Sequence, residues 1–402
     1  MKCRSFRPSR AAFNSFALNL GLLKLQLLYH GIRAGENLPV PLANPFGLVH
    51  LVLPGDTPVS VHRNDNGNES PFTLKKEGER FYLDVQGKEC VPVRWTPPLK
   101  SYQKKTSSGL SVSDILTVHG DFIAVHPSHA CRFGLAGLSC RYCGWSKELS
   151  QHPPFTPHDL VEAVRIVLKE KRCDVVALSS GRVDTEDGGV AKLAKWVAEI
   201  RKHLNVLISL DLVPPATDDW IDQTYAIGVD ALYYDTDFFN PNDEPKKEFQ
   251  KHRMRQLEAL EYAAKIFPKG AVLSHLVVGL EPMEETLKSI DLLIDRGVVP
   301  VLAYFPPYGG SKLRAQWSAT PEKAQELYRH LYERLVKKRI NPQWVQQYDV
   351  VLTPLEGRFF SDQPAGSHLK LKNFQRTSLG RAVRLGLASL RRHLRVREVP
   401  RG

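Results

Sequence analysis

The sequence is poor in cysteine and has no long apolar run. Six cysteines in 402 residues are too few to staple a small secreted scaffold. No stretch of 18 uninterrupted apolar residues occurs, so a spanning helix is not expected. The nearest approach, residues 13–29, is broken by Asn14, Asn19, Lys24 and Gln26, and no small-residue cleavage site follows it. A secretory leader therefore fits poorly and a cytoplasmic location is expected. The Arg-rich, acid-free start suits an organelle transit peptide and a surface helix equally. With 42% hydrophobic and 24% charged residues, the chain is neither disordered nor collagen-like nor heptad-rich. Its length suits one large α/β domain with a smaller unit beside it.

The net charge of +12 is unevenly spread. Residues 1–35 carry six Lys or Arg and no acid, and residues 363–402 carry ten against Glu398 alone. The rest of the chain is slightly acidic, so the basicity describes how the two ends meet an anionic surface. A central site has to be read from other residues.

Three of the cysteines lie together. Cys131, Cys140 and Cys143 have C-x8-C-x2-C spacing within His129-Ala130-Cys131-Arg132-Phe133-Gly134-Leu135-Ala136-Gly137-Leu138-Ser139-Cys140-Arg141-Tyr142-Cys143. Gly134 and Gly137 let the loop fold back so that the thiolates converge. The trio suits a Cys3His zinc site completed by His126 or His129, an iron–sulfur cluster, or a group of buried thiols. Three thiolates on a four-iron cube leave one iron without a protein ligand. Cys3, Cys90 and Cys173 are scattered and read as ordinary thiols.

Strand and helix patterns alternate around the trio. Strands are expected at 121–126, 174–179, 205–211, 230–235, 271–278 and 299–305, and helices at 157–171, 189–203, 217–227, 245–266 and 283–296. Continuous apolar strands between amphipathic helices imply a parallel sheet covered by helices. Six repeats suit a partial (β/α)6 TIM-type barrel, with chemistry at the C-terminal strand ends, where the cysteine loop follows the first strand.

The cysteine loop, with aromatic Tyr142 before its last cysteine, resembles that of the radical S-adenosylmethionine (SAM) superfamily. The resemblance runs from about 121 to 315 and is biotin-synthase-like in its core. Leu178-Ser179-Ser180-Gly181 resembles the Gly-rich segment near the SAM amino group. Tyr234-Asp235-Thr236-Asp237 ends the fourth strand, where relatives carry an acid for the ribose, here Asp237. Arg253 in Arg253-Met254-Arg255-Gln256-Leu257 resembles the arginine that meets the SAM carboxylate. His275-Leu276-Val277-Val278-Gly279-Leu280-Glu281-Pro282 resembles the segment beside adenine, which makes Gly279 and Glu281 candidates. Ser209 joins the candidates from the expected lumen lining, 178–181, 209–211, 234–237, 277–281 and 304–308.

Three features depart from the family pattern. Eight residues separate the first two cysteines instead of the commoner three, which costs only about 1 kcal/mol in loop closure. Arg182 stands where many relatives carry a carboxylate, leaving the amino-group contact to Asp184, Glu186 or a backbone carbonyl. Pro282 replaces a usual Glu.

The resemblance implies a [4Fe–4S] cluster on Cys131, Cys140 and Cys143, SAM as cofactor, and an electron donor such as flavodoxin or ferredoxin. It implies SAM cleavage to a 5′-deoxyadenosyl radical and hydrogen abstraction from a small or amphiphilic substrate. The alternatives are an RNA- or protein-modifying enzyme of the same superfamily and a non-enzymatic zinc-stabilised binding protein.

The flanks complete the expected organisation: a basic amphipathic segment at 1–35, a β-rich accessory region at 36–118, the core at 119–345 and a C-terminal extension at 346–402. In that extension Leu379, Val383, Leu387, Leu390 and Leu394 fall at helical spacing among Arg381, Arg384, Arg391, Arg392 and Arg395. Together with the apolar pattern of 13–29, this basic amphipathic helix suits peripheral membrane contact, while a solvated cationic tail is the simpler reading. Nucleic acid is the less favoured partner, because no RNA-binding signature is present.

Overall fold

The computed structural model describes residues 19–64, 70–87, 89–127, 131, 153–237, 246–303, 320–345, 351–363 and 366–398. Helix α1 (Leu20–His30) is capped by Asn19, whose side chain accepts from the Leu22 N–H at 3.0 Å. Leu23, Leu25, Leu27 and Leu28 are all buried. Even Lys24 is 1% exposed, held 3.5 Å from an equally buried Glu356. A helix this apolar on all sides belongs in a core. The expected membrane-facing role of the N-terminal apolar pattern is therefore corrected for these residues, because their side chains are already spent inside the protein. Residues 1–18 lie outside the described residues.

The accessory region forms a six-stranded sheet of β1 (Arg33–Ala34), β2 (Leu48–Leu53), β3 (Thr57–His62), β4 (Phe72–Glu77), β5 (Arg80–Val85) and β6 (Glu89–Thr96), in the order β1-β4-β5-β6-β2-β3. Its strands pair antiparallel except for β1 with β4. Val49, Leu51, Val59, Val61, Phe72, Leu74 and Leu83 bury one apolar face by alternation. Cys90 on β6 is disulfide-bonded, which corrects its reading as an ordinary thiol. A single-turn helix, α2 (Val112–Ile115), leads into the second sheet.

That sheet runs β13-β12-β11-β10-β9-β8-β7, so spatial order follows chain order. It consists of β7 (Thr117–His119), β8 (Phe122–Val125), β9 (Val175–Ser179), β10 (Leu207–Asp211), β11 (Ala231–Tyr233), β12 (Val272–Val277) and β13 (Val299–Ala303). From β8 to β13 every neighbour is parallel, and β7 adds one antiparallel edge. Helices α3 (Pro157–Glu170), α4 (Val190–His203), α5 (Asp219–Ala226), α6 (Lys246–Ile266) and α7 (Met283–Asp295) make the crossovers. Together these strands and helices form a mixed α/β partial TIM-type barrel. Among the described residues its ends remain apart, since β8 pairs with β7 and β9 and not with β13.

Strand periodicity divides the sheet into two faces. Val176, Leu178, Ile208, Leu210 and Leu232 are at most 1% exposed and pack beneath the helices. On the opposite, luminal face, Ala124, Ala177, Ser209 and Ala231 stand side by side in register across β8 to β11. Ser179, Asp211 and Tyr233 form the next row toward the C-terminal ends. Barrel interiors are normally filled by large branched side chains, so a row of small ones leaves room under that mouth.

After α8 (Pro321–Lys338), helices α9 (Gly366–Arg376) and α10 (Ser378–Glu398) end the fold. Helix α10 lies against the opposite, N-terminal end of the strands. Arg381 pairs with Asp121 at 2.9 Å and with Asp174 at 3.4 Å, and Arg392 pairs with Asp230 at 3.0 Å. Arg384 lies 4.0 Å from Asp174, its guanidinium over the Trp344 ring. These aspartates immediately precede β8, β9 and β11. The basic face expected to meet an anionic surface is thus corrected for Arg381, Arg384 and Arg392, which neutralise acids of the barrel floor.

Asp230 is the tightest of these junctions. Its carboxylate is 4% exposed, accepts from Arg201 and Arg392, and takes the Ile208 N–H at 3.0 Å. Removing one side of a buried, hydrogen-bonded ion pair strands the other charges. Asp230→Ala is expected to cost about 3–5 kcal/mol of unfolding free energy, read by denaturant titration.

Candidate active site at the mouth of the half-barrel

The turn after β9 is tied to the end of β10. The Ser179 hydroxyl donates to Asp211 Oδ2 at 2.8 Å, and the Ser180 N–H donates to the Asp211 carbonyl at 3.0 Å. Gly181 takes a φ of +62°, which glycine adopts without strain, and its N–H donates to Ser179 Oγ at 3.3 Å. The chain then turns so that Arg182 reaches Asp237 at 3.2 Å, joining the segment after β9 to the segment after β11.

Asp237 is fixed by its backbone as well. Its φ is +55°, its N–H donates to the His275 carbonyl at 2.9 Å, and its carbonyl accepts from the Val277 N–H at 2.7 Å. A left-handed conformation is uncommon outside glycine, though aspartate tolerates it, and here the two hydrogen bonds to β12 hold it. Arg253 on α6 donates to the Thr236 carbonyl at 3.0 Å and to Gln256 Oε1 at 2.8 Å, fastening the helix to the end of β11. Gly279 occupies the turn after β12 with φ +99°. Glu281 is 6% exposed and accepts from Ser289 of α7 at 3.2 Å, so its carboxylate is engaged with that helix. Ser209 is 1% exposed, and its hydroxyl has no hydrogen-bond partner among the described residues.

A second polar group lies at the centre of the mouth. His275 Nδ1 sits 2.7 Å from Asp235 Oδ1, the His275 backbone N–H donates to the same oxygen at 3.1 Å, and Tyr233 stacks on the imidazole with ring centroids 5.2 Å apart. Burial alone would lower the imidazole pKa, but the Asp235 carboxylate outweighs it and lifts His275 to about 9. Burial likewise opposes ionisation of Asp235, yet His275 and Arg182 hold it below the usual carboxylate range. Asp211 goes the other way: burial first, then the Asp235 charge, push it up to about 7 despite His275, Ser179 and Arg182. Near neutral pH the mouth therefore holds an imidazolium–carboxylate pair beside a carboxyl group poised between its two forms.

The sequence reading brought Ser179, Ser180, Gly181, Ser209, Asp237, Arg253 and Gly279 to one end of the sheet. It did not name Asp211, Asp235 and His275 as site residues, although all three fall inside segments it used, and it noted Arg182 only as a departure from the family pattern. The missed signal is periodicity. Asp211 follows Ser209 by two, and Ser179 follows Ala177 by two, so each polar residue at the end of an apolar strand shares the luminal face. Cys131 follows β8 at the same end and is not disulfide-bonded. Cys140, Tyr142, Cys143 and lumen positions 304–308 lie outside the described residues.

The residues present fit the groups expected here. Cys131, the described member of the trio, lies beyond the C-terminal end of β8, and three thiolates so close in sequence are a suitable donor set for an iron–sulfur cube. The unpartnered Ser209 hydroxyl and the row of small side chains beneath the mouth are consistent with a polar ligand entering the lumen. Cys173 is a contrast: it is 5% exposed, and burial pushes its thiol up to about 12, which leaves it inert.

The Asp211 shift has a consequence for stability. A carboxyl group whose folded pKa is raised binds more protons in the folded chain, so its contribution is complete below about 3.8 and lost as the pH rises through about 7. Asp211→Asn should therefore gain stability relative to the native protein between pH 5 and pH 8. Denaturant titrations of both proteins across that range provide the check.

No protein-family model matches the chain. It is 27% identical over 340 residues to the bacteriochlorophyllide c C-7(1)-hydroxylase of Chlorobaculum limnaeum, a match covering 76% of this chain and 84% of that relative. Among solved structures, methylornithine synthase (PylB) is 13% identical with a TM-score of 0.42, the match covering 55% of this chain and 64% of that one. SuiB of Streptococcus suis, bound to its precursor peptide SuiA, is 13% identical with a TM-score of 0.39, covering 57% and 48%. The radical SAM enzyme HemN of Escherichia coli is 15% identical with a TM-score of 0.30, covering 41% of each. These structural likenesses are too low to carry weight. Radical SAM enzymes use a [4Fe–4S] cluster and SAM. The ordered sequence segments resemble the radical SAM superfamily, the sequential parallel half-barrel is in keeping with that resemblance, and the chain is similar over most of its length to an enzyme.

Proposed function

We propose that the protein binds a [4Fe–4S] cluster through Cys131, Cys140 and Cys143, binds SAM beside it, and abstracts hydrogen from a C–H bond of a small or amphiphilic substrate. One observation supports the reading above others: a ring of polar side chains from β9, β10, β11 and β12 surrounds a luminal row of small residues at the end where the cysteine loop leaves β8. The hydroxylase relative adds to it, since its name makes a C–H bond the target.

A [4Fe–4S] cluster held there by Cys131, Cys140 and Cys143 would supply the electron for reductive cleavage of SAM. The chain's own residues bind and orient. Ser179, Ser180 and Gly181 offer backbone and hydroxyl groups to the amino-acid end of SAM. Asp237, held by its backbone to β12, takes the ribose hydroxyls. Arg253 answers the carboxylate, and Gly279 leaves space against adenine, with Glu281 two residues on; Tyr142 of the cysteine loop is a further candidate for SAM. Ser209 offers its hydroxyl within the lumen. Asp211, able to donate or accept near neutral pH, holds a polar group of the substrate so that one C–H bond faces the reacting carbon.

The reductant is a small redox protein of the flavodoxin or ferredoxin kind. RNA is disfavoured as the substrate, because Arg381, Arg384 and Arg392 are engaged by aspartates of the barrel.

Cys140→Ala is expected to lose iron and labile sulfide after anaerobic reconstitution and to form no 5′-deoxyadenosine with SAM and reductant. Stoichiometric zinc without sulfide in the native protein would sink the proposal. Asp237→Ala should keep the cluster, read by its visible absorption, while SAM binding weakens about tenfold to a hundredfold, as expected for a lost charge-assisted hydrogen bond. Loss of iron in this variant would instead assign Asp237 to assembly of the loop.

A further inference from the structure

Helices α9 and α10 present an apolar stripe to solvent. Leu379, Val383, Leu387, Leu390 and Leu394 recur every three or four residues and are 42–68% exposed. Leu371 and Phe374, 37% and 40% exposed, extend the stripe onto α9. A surface helix ordinarily buries its apolar stripe and shows its charges. Here the arrangement is inverted, because the charged face is the one that is anchored. Arg381, Arg384 and Arg392 are bound to Asp121, Asp174 and Asp230, and the helix cannot roll its leucines inward without breaking those pairs. An exposed apolar stripe of this extent marks an interaction surface.

The charges beside the stripe select its occupant. Between Gly366 and Arg397 the sequence contains no Asp or Glu, and Lys370, Arg376 and Arg391 are exposed next to the leucines. A second copy of this chain would bring an equally acid-free, cationic surface against it, and the like charges would repel. A bilayer with acidic headgroups satisfies both features, since acyl chains receive the leucines and phosphates receive the cations.

We propose that the outward face of α9 and α10 docks the protein on an anionic lipid surface. The floor of the half-barrel meets the bilayer, because the aspartates that hold α10 precede β8, β9 and β11, whereas the candidate active site lies at the other ends of the strands. Docking therefore leaves the mouth open to the aqueous side, and the inference is independent of the reaction.

The test is co-sedimentation of the full chain with phosphatidylcholine vesicles with and without phosphatidylserine. Binding is expected to be about tenfold or more tighter with phosphatidylserine, from a few cations near the surface. The double substitution Leu387→Glu with Leu390→Glu should abolish it with the thermal unfolding midpoint unchanged, as both side chains are exposed. Lys370→Glu with Arg391→Glu should weaken it selectively on the anionic vesicles. Absence of binding to either vesicle overturns the proposal, as does equal binding by the leucine variant. A dimer in sedimentation velocity that the leucine variant splits would also overturn it, assigning the stripe to a second copy. None of these readouts requires iron or SAM.

Discussion

Two-residue periodicity on six consecutive parallel strands is the constraint on which the rest of the molecule depends. Because successive side chains point to opposite faces, each strand supplies the helix layer and the lumen from one short sequence. Val176, Leu178, Ile208 and Leu210 are driven under the helices by the hydrophobic effect, and this pins the register that aligns Ala124, Ala177, Ser209 and Ala231 across the lumen. A slip of one residue would send leucines into the lumen and serines under the helices. The space under the mouth is thus a consequence of the packing outside it.

Polar residues at the mouth are tolerated because they satisfy one another. Asp235 gains a cation in His275 and Asp237 one in Arg182, whereas Asp211 accepts from a serine hydroxyl, and burial together with the Asp235 charge pushes it toward protonation. The β9, β10, β11 and β12 ends are cross-linked by this network, so the loops that follow them start from fixed positions.

The barrel floor follows a different logic. Three aspartates placed before strands would be costly to bury alone, and three arginines of α10 compensate them. That compensation fixes the face of the helix and leaves its leucines outside. At the other end of the chain the outcome is reversed: α1 turns its leucines inward and carries Lys24 with it, paired to Glu356 in the core.

The sequence by itself determined the alternation of strands and helices, the parallel half-barrel and the end of it at which polar residues gather. These depend on local periodicity and on the glycines of tight turns, as at Gly181 and Gly279, and both are written in consecutive residues. Only the tertiary structure decided which polar groups meet. Asp211 and Ser179 are 32 residues apart and His275 and Asp235 are 40 apart, and no local pattern records a pairing made by strand register. Nor could it decide which face of α10 is hidden, because an amphipathic helix offers two faces and the choice fell to aspartates at the starts of distant strands.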